Sequence, residues 1–285
     1  MTRNNSAHFT TQISFPRRDN PALASEKPYV LDYFPGRGIR KTNIEFEVVR
    51  NIEVQDLRES SLSFEKNGVG VTQLMTAMEY PDFQDVEKVE SCYLQEARDA
   101  ISGCLGADDV YVIDYNIRRR DATFPSATGS SYDAAQPVVV AHGDYTPRDA
   151  YERIKILFGE EAEAKAKQRF QIVNLWKPLR GPVRDWPLAI CDPLTIDPER
   201  DVLLVDAVFR DSIGEGFNLH HHPDQRWYYL SNQTSCETLI FNGYDSRFKT
   251  MYGVPHCAVE YTLSDRDTTP RESVEVRAIA FFKDD

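Results

Sequence analysis

Pro270-Arg271-Glu272-Ser273-Val274-Glu275-Val276-Arg277-Ala278-Ile279-Ala280-Phe281-Phe282 is the stretch on which the fold turns. Its β-branched and aromatic residues read as a final strand. Side chains two positions apart share a face, so Arg271, Ser273, Glu275 and Arg277 look one way and Val274, Val276 and Ala278 the other. The apolar face packs a core, and the charged face points into a barrel. An unpaired buried charge is very costly, so buried arginines need an anion. A planar guanidinium pairs best with a carboxylate or phosphate. Glu275 can satisfy one arginine inside a structural network, which leaves the other without a partner.

Working back from that strand, the next informative residue is His256, in Val254-Pro255-His256. Further upstream stands Val138-Val139-Val140-Ala141-His142-Gly143-Asp144-Tyr145-Thr146, a β-branched run ending in His-x-Asp. On a strand, His142 and Asp144 point to the same side and can grip one ion while Gly143 faces away. With His256 they make two imidazoles and one carboxylate. Such a set leaves metal positions open and suits non-haem Fe(II) oxygenases. The nearest anion for the spare arginine is then the distal carboxylate of 2-oxoglutarate. His-x-Asp alone is weak; its weight comes from the order of His142, Asp144, His256 and the arginine strand. The run His220-His221-His222 lies between Gly214-Glu215-Gly216 and Pro223-Asp224 and reads as a turn at the surface or cavity mouth.

The chain resembles the fungal hydroxylase/desaturase family, often described as similar to gibberellin desaturases and cephamycin methoxylation proteins. The resemblance rests on the His142-Gly143-Asp144-Tyr145-Thr146 segment, Asn174-Leu175-Trp176-Lys177-Pro178-Leu179, Pro187 to Asp192, Trp227-Tyr228-Tyr229, Glu237 to Phe241, Tyr244-Asp245-Ser246, His256 and Pro270 to Arg277. It runs from about Tyr29 to Phe282. It implies Fe(II)/2-oxoglutarate-dependent oxidation of a small molecule with O2, by hydroxylation, desaturation or oxidative ring closure, in secondary metabolism. It also implies a role for Glu237 and Asp245, that of orienting a ligand histidine through its other ring nitrogen.

Around the triad, several residues compete for roles. Arg266 sits in the acidic turn Ser264-Asp265-Arg266-Asp267 with ion-pair partners of its own. Arg271 forms Arg-x-Ser with Ser273, and Arg277 lies deeper on the same face. Arg271 and Arg277 are preferred over Arg266, one for 2-oxoglutarate and one for a substrate carboxylate or an inner Glu. An extra inner arginine favours a carboxylate-bearing, amino-acid-like substrate. Asn174 and Trp176 share a face; the amide can bond a co-substrate carboxylate and the indole can wall the pocket, or both are structural. Tyr145, Tyr228 and Arg118 are candidate substrate contacts, although aromatics are more often core and Arg118-Arg119-Arg120 also reads as a solvated basic patch.

The rest of the chain supplies the architecture. Short strands are expected over Val110 to Arg118, Phe170 to Trp176, Val202 to Phe209, Trp227 to Leu230, Thr238 to Asn242, His256 to Leu263 and Val274 to Phe282. Helices are expected over Asp82 to Leu105 and Pro147 to Gln168, and an extended loop over Gly181 to Arg200. The expected fold is mainly β, a double-stranded β-helix (jelly roll) core with flanking α-helices. Residues 1–28, polar and rich in Asn, Ser, Thr and Pro, read as a flexible arm, and 29–285 as one domain. The segment before the metal strand, residues 119–136, reads as a loop able to act as a lid.

A net charge of −12 argues against nucleic acid and anionic membranes as partners. No apolar run approaches the roughly 20 residues that cross a bilayer, and Met1 to Ser6 has no apolar signal segment. Five scattered cysteines without CxxC fit reduced thiols in a cytoplasmic setting. A homodimer is compatible with all of this. The rival readings are a metal-dependent jelly-roll isomerase or lyase and a non-catalytic small-molecule binder. A zinc hydrolase is disfavoured by the lack of a nearby general-base motif.

Overall fold

The computed structural model describes residues 8–33, 35–126, 132–248, 252–263 and 269–283. Among them fourteen strands form two facing sheets. In chain order these are β1 (Phe9–Pro16), β2 (Tyr29–Leu31), β3 (Phe46–Asp56), β4 (Val69–Gln73), β5 (Asp109–Arg119), β6 (His142–Gly143) and β7 (Arg169–Pro178). They continue with β8 (Leu188–Cys191), β9 (Val202–Val208), β10 (Ile213–Leu219), β11 (Trp227–Tyr229), β12 (Glu237–Asp245), β13 (His256–Ala258) and β14 (Glu272–Phe282). The larger sheet runs β1-β3-β11-β8-β13-β6-β10-β9-β2 and the smaller β4-β12-β7-β14-β5. Apart from β11 with β3 and β2 with β9, all pairings are antiparallel. This is the jelly roll expected from the sequence.

The alternation read in the last strand is what holds the layers. Val274, Val276, Ala278, Ala280 and Phe282 pack outward against Val89, Tyr93, Ala97 and Ile101, on and just before the helix Leu94–Leu105. Those four side chains recur every fourth residue, and the wide turn Val89–Tyr93 feeds them onto one face. Gly106 ends the helix at φ 66°, a left-handed conformation glycine adopts freely. On the inner side, Trp176, Leu239 and Phe241 of the small sheet meet Leu188 and Ile190 of the large one. The opposite end of the barrel is closed by Phe170, Ile172, Ile279 and Phe281 under the helix Pro147–Phe158.

Three expectations need correction. Phe9–Pro16 is not part of a loose arm: it pairs with β3, and Phe9, Ile13 and Phe15 cover Trp227, Tyr229 and Cys257 on the far face of the large sheet. The supposed loop Gly181 to Arg200 contains β8, whose four residues are all buried between β11 and β13. His220-His221-His222 lies outside any strand, as expected, and the flanking Gly214-Glu215-Gly216 belongs to β10. A Cβ at Gly216 would sit 2.8 Å from the Gly143 carbonyl oxygen, so glycine serves close approach of backbones, not bending. The expected helix to Gln168 breaks at Gly159 (φ 51°, ψ −117°) and resumes only as the short helix Ala162–Lys165.

Candidate active site

His142 on β6 and His256 on β13 are direct partners across the large sheet, with ring centroids 4.5 Å apart. Each ring sets Nδ1 on the carbonyl two residues earlier, Val140 at 2.8 Å and Val254 at 3.1 Å. An Nδ1–H donating there leaves Nε2 with a free lone pair, the form that binds a metal. Both Nε2 atoms face Asp144, His142 at 3.8 Å from Oδ1 and His256 at 3.9 Å from Oδ2. One ligand atom from each of the three lies within 4.8 Å of the others, a spread that a shared ion at about 2.1 Å per ligand can draw together. Burial, then the neighbouring His256 ring, push His142 down to about 4, so the imidazole is neutral at ordinary pH. Burial alone would raise the Asp144 carboxyl, but the Arg277 guanidinium beside it holds it well below the usual carboxylate range. The donor set of two imidazoles and one carboxylate fits Fe(II) with positions left open.

The arginine strand behaves as two separate devices. Arg277 donates from Nε to Asp114 Oδ1 at 2.6 Å and places Nη1 3.6 Å from Asp144 Oδ1. Asn174 donates to Asp144 Oδ2 at 2.5 Å and to Glu275 Oε1 at 2.8 Å. Both residues therefore serve the candidate metal carboxylate, and Asn174 does not stand free for a co-substrate. Arg271 is different. It is 5% exposed, donates from Nη1 to the Trp186 carbonyl at 2.6 Å, and leaves Nε with no partner. Ser273, 1% exposed on the same face, leaves Oγ unpartnered as well. Burial, then the nearby Arg118, push the Arg271 guanidinium down to about 9. Two buried polar groups, two residues apart on one strand, thus lack a protein partner and could both serve a carboxylate.

The remaining candidates scatter. Arg118 stands opposite Ser273 and donates to the Gln136 carbonyl at 2.7 Å, so it is tied to the neighbouring segment rather than left in a solvated patch. Trp176 is core, yet its ring lies 5.5 Å beneath the Arg271 guanidinium. Tyr228 is half-buried on the inner row beside Ile190. Tyr145 is packed with Ala150 and Ile154 under the helix, a core position rather than an open wall. Glu237 pairs with Arg58, and Asp245 with Arg247 and Gln171; both are engaged away from His142 and His256, whose Nδ1 atoms meet backbone carbonyls. His220 bonds the Pro16 carbonyl and His221 packs on Phe15, away from the triad. Arg266 and residues 127–131 of the proposed lid lie outside the described residues. Two residues were missed. Asn218 stands beside His142 on β10, and Asp114 holds Arg277. The alternation Asp114, Asn116, Arg118 in Val110 to Arg118 was the available signal for the second.

Three comparisons bear on this arrangement. A family model described as an oxidoreductase/YMDC permease-like domain matches residues 15–281. The alpha-ketoglutarate-dependent dioxygenase tstK of Talaromyces stipitatus is 32% identical over 238 residues, covering 81% of this chain and 84% of that protein. The hydroxylase/desaturase efuI of Hormonema carpetanum is 27% identical, covering 82% and 84%. Among solved structures, the iron and alpha-ketoglutarate-dependent endoperoxidase NvfI superposes with a TM-score of 0.81 at 27% identity, covering 96% of this chain and 98% of that one.

Proposed function

Because the chain belongs to the fungal Fe(II)/2-oxoglutarate-dependent dioxygenases and hydroxylase/desaturases, we propose that His142, Asp144 and His256 hold its iron and that Arg271 with Ser273 seats the distal carboxylate of 2-oxoglutarate. The activity is oxidation of a small molecule with O2, and oxidative ring closure fits the range of its relatives, which includes an endoperoxidase. Isomerase, lyase and binder readings are set aside by those relatives. The single observation carrying the assignment of Arg271 is the pair of buried, unpartnered donors Arg271 Nε and Ser273 Oγ.

Bound iron supplies O2 activation coupled to decarboxylation of 2-oxoglutarate to succinate and CO2. The chain's own residues do the rest. The Val140 and Val254 carbonyls hold both imidazoles with Nε2 inward. Asn174 fixes one oxygen of Asp144. Arg271 and Ser273 supply donors that a carboxylate can share, with the indole of Trp176 excluding water from one side of the guanidinium. Tyr228 and the neighbouring apolar wall face the substrate. The argument for a carboxylate-bearing substrate does not carry over, because the charge of Arg277 is already matched by Asp114 and Asp144.

The test is anaerobic addition of Fe(II) and 2-oxoglutarate, read by the weak visible charge-transfer band of the complex. Wild type is expected to give the band. Arg271→Ala is expected to weaken 2-oxoglutarate binding about 10- to 100-fold, the range of a lost charge-assisted contact. If Arg271→Ala keeps wild-type affinity while Arg277→Ala loses it, the anchor is Arg277 and the assignment is wrong.

A further inference from the structure

Asp114, Arg277, Asn174 and Phe241 stand abreast on four neighbouring strands of the smaller sheet, β5, β14, β7 and β12. The polar members of this row converge on Asp144, which follows a strand of the opposite sheet. Asn174 uses both amide hydrogens, one on Asp144 Oδ2 and one on Glu275. Its orientation is therefore set by two carboxylates, and Oδ2 is tied down. The other oxygen is treated differently. Arg277 makes a full hydrogen bond to Asp114 at 2.6 Å but stops 3.6 Å short of Asp144 Oδ1. A charge-assisted N–H···O bond closes to about 2.7–2.9 Å when nothing prevents it. Oδ1 is also the atom that faces His142 Nε2.

We propose that Asp114 is a positioning residue for the metal site: it holds the Arg277 guanidinium back from Asp144, so that Oδ1 remains available to the iron. The proposal rests on the reading of His142, Asp144 and His256 as iron ligands. Asp114 itself touches neither metal nor substrate; it acts through Arg277. Its side chain is 41% exposed at the edge strand, against 22% for Arg277 and 11% for Asp144, so it restrains the guanidinium from the rim of the barrel. Without it, Arg277 is free to move the remaining distance onto Asp144 and compete with the ion for the same oxygen. A like-charged guanidinium bonded to the ligand carboxylate also opposes the arrival of a divalent cation.

The experiment is anaerobic titration of the full chain with Fe(II) and, for its absorption bands, with Co(II). Asp114→Ala is expected to weaken metal binding about tenfold or more and to alter the Co(II) bands. At saturating metal its affinity for 2-oxoglutarate is expected to stay within about twofold of wild type. Asp114→Glu is expected to recover most of the metal affinity. In an Arg277→Gln background the effect of Asp114→Ala is expected to vanish, because the competitor is gone. Wild-type metal affinity in Asp114→Ala overturns the proposal. So does an equal loss in the Arg277→Gln background, which would mark a plain charge effect. If His142→Ala binds Co(II) as wild type does, the ligand assignment falls, and this inference with it.

Discussion

Gly143 on β6 separates the ligand candidates His142 and Asp144, and its neighbour limits what can stand there. A Cβ at this position would lie 2.2 Å from a ring carbon of Phe217, itself 1% exposed. Gly143→Ala is expected to cost about 1–3 kcal/mol, the usual price of overpacking, and to weaken metal binding because the shift displaces His142 and Asp144 together. Phe217→Leu in the same chain is expected to return much of both. Denaturant midpoints and Co(II) titration measure it; an unchanged midpoint in Gly143→Ala would contradict the packing argument. At this scale the proximity of His142 and Asp144 was legible, because strand parity places them on one side and needs no partner to be known. The roles of the arginines were not. Arg271 and Arg277 share a face and differ only in what stands across from them, and a register between strands more than 150 residues apart is absent from local pattern.

Among the elements, the last strand and the helix Leu94–Leu105 could be read directly, since their apolar periods are long and unbroken. β8 and β10 could not. Pro and Gly surround the first and open the second, and both normally signal loops. Here the glycines admit a neighbouring backbone or side chain: Gly216 faces the Gly143 carbonyl and Gly214 the Arg153 guanidinium. Glu237, at the start of β12, illustrates a contact that fixes an element rather than a site. Its hydrogen bond from Arg58 holds the carboxyl down to about 2. A carboxyl depressed in the folded state contributes stability that is full above its unfolded value of about 4.3 and fades as pH falls through about 2. Glu237→Gln is therefore expected to be less stable than wild type at pH 6, with the gap narrowing between about pH 4 and pH 2. Equal stabilities at pH 6 in denaturant titrations would remove Arg58–Glu237 as a clasp. At the next helix, Thr146 caps the Asp149 amide, and Thr146→Ala is expected to cost about 1 kcal/mol by the same measurement.

For the molecule as a whole, the buried guanidinium of Arg271 is costly to fold around. Its lowered basicity, due first to burial, means that folding strains against its charge at every pH below about 9. Arg271→Leu is expected to raise the melting temperature of the metal-free chain by a few degrees while abolishing the stabilisation that 2-oxoglutarate gives the metal-loaded wild type. A lower melting temperature in Arg271→Leu would show that its bond to the Trp186 carbonyl outweighs the cost of burial. The direct pairing of His142 with His256 has a further, topological consequence. The two are 114 positions apart in the chain. With iron shared between them, the metal closes a ring of that length, as a covalent bridge would. In the chain-entropy picture, tying a loop of about 100 residues removes on the order of 4–5 kcal/mol of freedom from the unfolded chain. Under the proposed ligand assignment the ion would be a reversible staple as well as a reagent, and the length of chain between the two histidines would help set how strongly folding and metal loading depend on each other.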